Sequence, residues 1–303
     1  MISNFVQDID RLYEIFERIG GGAFGDVFKG VRKSDGLPVA IKKLKVSVLS
    51  KEEQKMVLRE LSILAGVNHP SCLTLIGCSL DPVQIVTPFL SHGNLETVFR
   101  QGDACKEFTA TKKMCAIYGL CNVVAYVHSK PIIHRDIKPE NIFLNNDYEI
   151  ILADFGLSRC VQENAEITMA PQGSPLFMAP ELYSGEYSSL TNALDIYSIG
   201  VTLLFFFGNF VAKLDDGKSP NPRLEPRTDF MNRVKKGARL LRPSTQIPDL
   251  YWKIYQECTK EDPNQRPSAR ELAERFRDDP NLLLTGVDMN EYRNYIEKVR
   301  YHE

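Results

Sequence analysis

The side chains best able to do chemistry lie between residues 134 and 156. His134-Arg135-Asp136-Ile137-Lys138-Pro139-Glu140-Asn141 sets a general-base carboxylate, a lysine and an amide on one short stretch. Asp154-Phe155-Gly156, beginning thirteen residues after Asn141, adds a second carboxylate. Phosphoryl transfer from ATP needs such a set, because its catalysis is largely positioning and charge neutralisation. Transfer also needs a nucleotide pocket, and upstream residues supply one in order.

Gly20-Gly21-Gly22-Ala23-Phe24-Gly25-Asp26-Val27 fits the spacing G-x-G-x-x-G-x-V. Gly20, Gly22 and Gly25 let backbone amides approach phosphate oxygens, and Val27 can cover an adenine face. A glycine pattern alone is weak and usually marks a hairpin turn. Here strands flank it, whereas a dinucleotide-binding loop would open a helix. In Val39-Ala40-Ile41-Lys42, strand alternation sends Ala40 and Lys42 to one face and Val39 and Ile41 to the other. Lys42 is costly to bury without an anion, whereas Lys43 fits a solubilising edge residue. Glu60 lies in the apolar stripe of a helix, with Met56, Ile63 and Leu64 at i−4, i+3 and i+4. An acid there needs a partner, and Lys42 is the expected one.

The elements that must position these groups change type near residue 90. Strands are expected over 12–20, 26–31, 37–44, 73–78 and 83–89, with one helix to about 65 announced by a Ser50/Glu53 capping box. Residues 1–10 form a short helix in this reading. Beyond Ser91-His92-Gly93-Asn94, Met114, Ile117, Leu120, Cys121, Val124 and Val127 recur at helical spacing. Helices dominate from there, apart from connections between 213 and 228. A last helix over about 289–301 opens with an Asp288/Glu291 capping box stapled by Val287 and Tyr292. The lobe boundary is placed at 90/91, giving residues 1–90 and 91–303 as the two parts of one domain.

A chain of 303 residues, 43% hydrophobic, can bury a large core. A net charge of −2 gives no electrostatic argument for nucleic acid or anionic lipid. Seven cysteines without CxxC pairs read as free thiols in a reducing compartment. No secretory signal opens the chain. Its most apolar window, 199–212, is too short to span a bilayer and reads as a buried central helix. The expectation is a cytoplasmic protein without membrane insertion; oligomeric state is left open.

HRDxKxxN, DFG, the glycine loop and the VAIK lysine together resemble the eukaryotic protein kinase domain, from about residue 12 to 278. The resemblance implies an α+β bilobal fold, with a small five-stranded antiparallel lobe carrying one helix and a larger, mainly helical lobe. It implies ATP and Mg²⁺, with Mn²⁺ as an alternative, and a protein substrate. Asp136 would accept the substrate hydroxyl's proton, Lys138 would neutralise charge on the transferring group, and Asn141 and Asp154 would hold the metal. Thr87 would set pocket depth, Leu90 would donate its amide to adenine and Pro88 would offer only its carbonyl. Ile19, Val27, Ala40 and Phe143 would sandwich the base. Gly173 to Glu181 resembles the peptide-receiving segment ending in APE. Asp195 and the Glu181–Arg266 pair would be structural ion pairs, Tyr197 stands where tryptophan is usual, and His134 reads as a core histidine.

Lys138 and Gly173-Ser174-Pro175 follow the serine/threonine pattern, while Thr87-Pro88-Phe89 and His92-Gly93-Asn94-Leu95 resemble tyrosine kinases. That mixture is similar to the tyrosine-kinase-like group, whose members mostly phosphorylate serine and threonine. Thr168, the hydroxyl residue of the 160–172 loop, is the candidate phosphosite, and its phosphate would pair with Arg135. The alternatives are a pseudokinase scaffold, a tyrosine or dual-specificity kinase, and a small-molecule phosphotransferase.

Overall fold

The computed structural model describes residues 2–22, 25–44, 51–100, 108–160, 174–184, 191–207, 214–216, 227–242 and 247–300. A 3₁₀ turn (Ile2–Phe5) and α1 (Ile9–Leu12) lead into β1 (Tyr13–Gly22), β2 (Gly25–Arg32) and β3 (Pro38–Leu44). The helix α2 (Lys51–Gly66) follows, then β4 (Gly77–Leu80) and β5 (Val83–Pro88). The five strands form one antiparallel sheet in the order β1-β2-β3-β5-β4.

Alternation along β3 decides what each face of the sheet does. Val39 and Ile41 are fully buried and pack with Ile9, Tyr13 and Val86 on one side. Ala40 and Lys42 turn to the other side, toward α2. The helix presents Val57, Leu61 and Leu64, spaced i, i+4 and i+7, as its buried face. Ser50, expected to cap it, lies outside the described residues.

The strand expected over 73–78 needs correction, since only Gly77–Leu80 is β4. The Leu73 amide instead donates to the Leu152 carbonyl (2.9 Å), and Ile76 N–H still reaches Val86 O (2.9 Å). An apolar run reports burial, not which ladder takes its amides, so the sequence pattern could not separate the two halves.

The larger part begins with α3 (Leu95–Arg100) and α4 (Ala110–Ser129), whose N-cap Thr109 accepts from Lys112 N–H. Two short ribbons follow: β6 (Ile132–Ile133) pairs with β9 (Arg159–Cys160), and β7 (Ile142–Leu144) pairs with β8 (Ile150–Leu152). Then come α5 (Glu181–Ser184), α6 (Ala193–Phe205), α7 (Arg227–Lys235), α8 (Asp249–Cys258), α9 (Ala269–Asp278) and α10 (Met289–Val299). In α6 every residue from Leu194 to Phe205 is buried, as expected of a short helix apolar on most of its faces, and Asp195 and Ser198 find hydrogen-bond partners inside. No described helix is long and apolar enough to cross a membrane. Cys72, Cys78, Cys115, Cys121 and Cys258 are buried free thiols.

At the start of α10, Asp288 caps the amides of Asn290 and Glu291 at 2.8 and 3.1 Å. The reciprocal half of the expected capping box is replaced. Asp288 N–H donates to Thr111 Oγ1 (2.8 Å), and Glu291 pairs with Lys112 (2.9 Å), both on α4. Tertiary partners on α4 outcompete the local carboxylate. A complete capping box forms at Ser268 and Glu271 on α9, which the sequence reading passed over.

Candidate active site

Between the sheet and the helical part lies a cavity of about 760 Å³. Register explains its upper wall: Lys42 stands beside Val27 on β2 and Ile85 on β5, while Ala40 stands beside Thr87. Lys42 Nζ lies 3.0 Å from both carboxylate oxygens of Glu60, which is 8% exposed. Burial alone would lower the Lys42 pKa, but the Glu60 and Asp154 carboxylates outweigh it and hold the ammonium above its ordinary value. Lys42 therefore stays cationic throughout the physiological range.

The lower wall is built around a turn that α6 fixes from beneath. Arg135 sits in the left-handed region at φ 70°, and the buried Asp195 carboxylate accepts from the amides of His134 (2.8 Å) and Arg135 (2.7 Å). His128 Nε2 lies 2.9 Å from the same carboxylate. Burial raises the Asp195 pKa, yet His128 and these donors bring it below the usual carboxylate value. His134 is fully buried, with Nε2 3.1 Å from the Ala153 carbonyl and its ring 4.8 Å from that of Phe155. It is a packed core histidine.

That turn delivers Asp136, 8% exposed, into a web of donors. Its Oδ2 accepts from Lys138 Nζ at 2.6 Å and from Asn141 Nδ2 at 2.8 Å, and Asn141 Nδ2 also reaches the Asp136 carbonyl at 2.8 Å. With its NH₂ end spent on Asp136, Asn141 has its oxygen left for a cation. The Ala153 amide bonds the Asn141 carbonyl at 2.9 Å across the β7–β8 ribbon, which brings Asp154 to the same end as Asn141. Asp154 takes φ 64°, and its Oδ1 accepts from Gly156 N–H at 3.3 Å. Phe155 is fully buried and anchors the motif.

Asp136, Lys138, Asn141, Lys42, Glu60 and Asp154 all border the one cavity. So do Ile19, Gly25, Val27, Ala40, Thr87, Pro88, Leu90 and Phe143. Gly20 falls on β1 but does not border it, and Gly21 does instead; the surroundings of Gly22 lie outside the described residues. A side chain at Gly21 would press mainly on the movable ends of Arg18 and Asp26, whereas one at Gly25 would collide with the Lys43 carbonyl, so a bare backbone is required at Gly25. The Phe89 amide is committed to Pro38 O (3.2 Å), Pro88 has no N–H, and no described hydrogen bond engages the Leu90 amide. Thr168 and Gly173 lie outside the described residues.

Sequence reasoning missed the rear of the cavity. Leu44, Val57, Leu64, Leu73 and Ile85 line it, and nothing in a list of apolar residues distinguishes a pocket wall from plain core. Arg227, at the start of α7, also borders the cavity and carried no local signal. Glu181 and Arg266 form the expected bidentate pair at 2.6 and 2.9 Å, and Arg266 also donates to Ala193 O. Tyr197 is more than a neutral replacement: the guanidinium carbons of Arg266 and Arg239 lie 5.3 and 5.9 Å from its ring centre.

Carboxylate and amide oxygens at Asp154 and Asn141, facing a buried ammonium, suit a divalent cation bound to a polyphosphate. Two hard oxygen donors are what magnesium takes when phosphates and water complete its shell. Among the described residues no denser acid, histidine or cysteine cluster offers a metal cage. A family model described as protein kinase domain matches residues 13–276. The chain belongs to the protein kinase domain family. A probable serine/threonine-protein kinase of Dictyostelium discoideum is 32% identical over 264 residues, covering 86% of this chain and 50% of that protein. Cell division control protein 7 of Schizosaccharomyces pombe is 32% identical over 259 residues, 84% of this chain and 22% of that protein. The human tyrosine-protein kinase ABL2 is 30% identical over 262 residues, 86% of this chain and 21% of that protein. The kinase domain thus spans half or less of these relatives.

Proposed function

We propose that this chain is an active protein kinase transferring the γ-phosphoryl group of ATP to serine or threonine hydroxyls of proteins. One observation carries the reading: the Lys42–Glu60 pair, the Asp136–Lys138–Asn141 web and Asp154 border a single cavity. Adenine lies between Ile19, Val27 and Ala40 above and Phe143 below, with the Leu90 amide as donor and Thr87 setting depth. Lys42, held by Glu60, grips the phosphates. Asp154 and Asn141 hold Mg²⁺, or Mn²⁺ in its place, which supplies neutralisation of phosphate charge when bound. Asp136 orients the acceptor hydroxyl and takes its proton, and Lys138, 2.6 Å away, balances charge at the transferring group. A pseudokinase scaffold would be expected to have lost one of these groups. We place the lobe boundary at 90/91, the chain in the cytoplasm, and Thr168 as the activating phosphosite paired with Arg135.

Lys138 and the Ser174-Pro175 segment support serine/threonine specificity. A tyrosine or dual-specificity reading is supported by the similarity to ABL2 and by the Thr87-Pro88-Phe89 hinge. Phosphoamino-acid analysis of an unstructured acceptor protein after incubation with MgATP decides between them. Phosphoserine and phosphothreonine alone are expected; phosphotyrosine would overturn that specificity.

A further inference from the structure

Asp195 and Ser198 stand three residues apart on α6 and so share one buried face of that helix. Asp195 holds the catalytic turn through the amides of His134 and Arg135. Ser198 Oγ donates to the Phe177 carbonyl (2.7 Å), so the same face also carries a single 3₁₀ turn, Pro175–Phe177. The two turns lie side by side, and Asp136 is delivered from the first. The second turn has little to hold it from within. Its own bonds run from Phe177 N–H to Ser174 O (3.1 Å) and from Met178 N–H to Pro175 O (3.3 Å), and one 3₁₀ turn is weak by itself. Tyr183 on α5 supplies what is missing. Its hydroxyl lies 2.6 Å from Pro175 O and 2.9 Å from Met178 O, bracketing both ends of the turn. One phenolic proton is shared between the two carbonyls. Burial raises the phenol's pKa above its ordinary value, so the group stays a donor. α5 is itself fixed, since the buried Arg266 holds Glu181. Beneath the turn, the Phe177 and Phe205 rings pack with centres 5.3 Å apart. Phe177 and Met178 are buried, while Ser174, Pro175 and Leu176 stay partly exposed.

We propose that Tyr183 is a positioning residue for the protein acceptor: its hydroxyl fixes the 174–178 stretch against which the acceptor chain lies while Asp136 takes its proton. The proposal rests on the phosphotransfer reading and adds to it a residue that acts on the acceptor alone. Neither Tyr183 nor Ser198 is among the described residues that border the nucleotide cavity. Their influence therefore separates from ATP binding. It reaches the reaction through the shape of one turn, which α6 carries next to the turn bearing the base. A loosened turn spends part of its time in shapes the acceptor does not fit, and apparent affinity falls by that fraction.

The test is steady-state transfer to an unstructured acceptor protein by Tyr183→Phe, which removes one oxygen and keeps the ring. KM for the acceptor should rise by roughly three- to tenfold, the range one hydrogen bond commands, while KM for ATP stays at the wild-type value. Ser198→Ala, which frees the same turn from beneath, should give the same split. Hydrogen exchange supplies the second readout. In Tyr183→Phe the Phe177 and Met178 amides should exchange faster, with the His134 and Arg135 amides unchanged. An acceptor KM equal to wild type in Tyr183→Phe would overturn the proposal. So would unchanged exchange at Phe177 and Met178, or a rise in both KM values together, which a general loosening of the fold would produce. Failure of wild type to transfer phosphate, with Thr168 phosphorylated or not, would instead overturn the phosphotransfer reading and this proposal with it.

Discussion

Lys42 and Asp154 border the same cavity but differ in what their removal exposes. Lys42→Met keeps the stem and deletes the cation, leaving the Glu60 carboxylate, 8% exposed, without its partner. We expect a stability loss of about 1–3 kcal/mol by urea unfolding, together with loss of transfer by about 10²–10³-fold or more. Asp154 is exposed to the cavity, so Asp154→Asn should abolish transfer while leaving the unfolding midpoint at the wild-type value. An Asp154→Asn protein that transfers phosphate at the wild-type rate would sink the metal-holding role. At this scale the sequence was highly legible. Asp136, Lys138, Asn141 and Asp154 sit in short contiguous motifs whose internal geometry the backbone dictates. Pocket-wall residues such as Leu73 and Ile85 were not legible, because only the fold distinguishes them from core.

Two elements act mainly by holding others in place. α2 carries Glu60, and Glu60→Gln should leave the helix intact while freeing Lys42 to wander. A misplacement of about 1 Å costs roughly 10²-fold, so a loss of that order in kcat with a smaller change in KM for ATP is expected. α6 carries Asp195, whose carboxylate holds two amides of the catalytic turn and His128. Asp195→Asn should cost about 2–4 kcal/mol in urea unfolding, since a buried amide cannot accept the whole set; an unchanged midpoint would contradict its structural role. α2 was legible from its apolar stripe, and α6 from an apolar window over 199–212, although the helix itself begins at Ala193. What escaped was competition between local and distant partners. Leu73 gives its amide to Leu152 instead of the sheet, and Asp288 gives its own to Thr111 instead of Glu291.

Across the whole molecule, the C-terminal helix is tied to the sheet-bearing part through His69. The ring is buried, accepts from Ser71 N–H at 3.0 Å through Nδ1, and lies 3.1 Å from Asn122 Nδ2, which also donates to Val299 O. Burial pushes its pKa down to about 4, against an ordinary 6.5. Below pH 6.5 the unfolded chain takes up a proton that the folded chain refuses. Stability from this site is therefore full above pH 6.5 and falls as pH drops toward 4, by about 3 kcal/mol at most. Urea midpoints at pH 7 and 5 should separate in wild type and draw together in His69→Asn. No spacing rule announced this junction, because its members lie on α4, α10 and the loop before β4. The two-part architecture itself was legible from the switch of hydrophobic period near residue 90. The central claim is that the Lys42, Asp136 and Asp154 constellation moves a phosphoryl group. Its most direct test is intact mass of phosphatase-treated protein before and after incubation with MgATP and an acceptor protein, beside Asp154→Asn. The account predicts phosphate on serine or threonine of chain or acceptor with wild type and none with the variant. Equal transfer by Asp154→Asn, or nucleotide binding with no transferred phosphate even by chain already phosphorylated at Thr168, would contradict it.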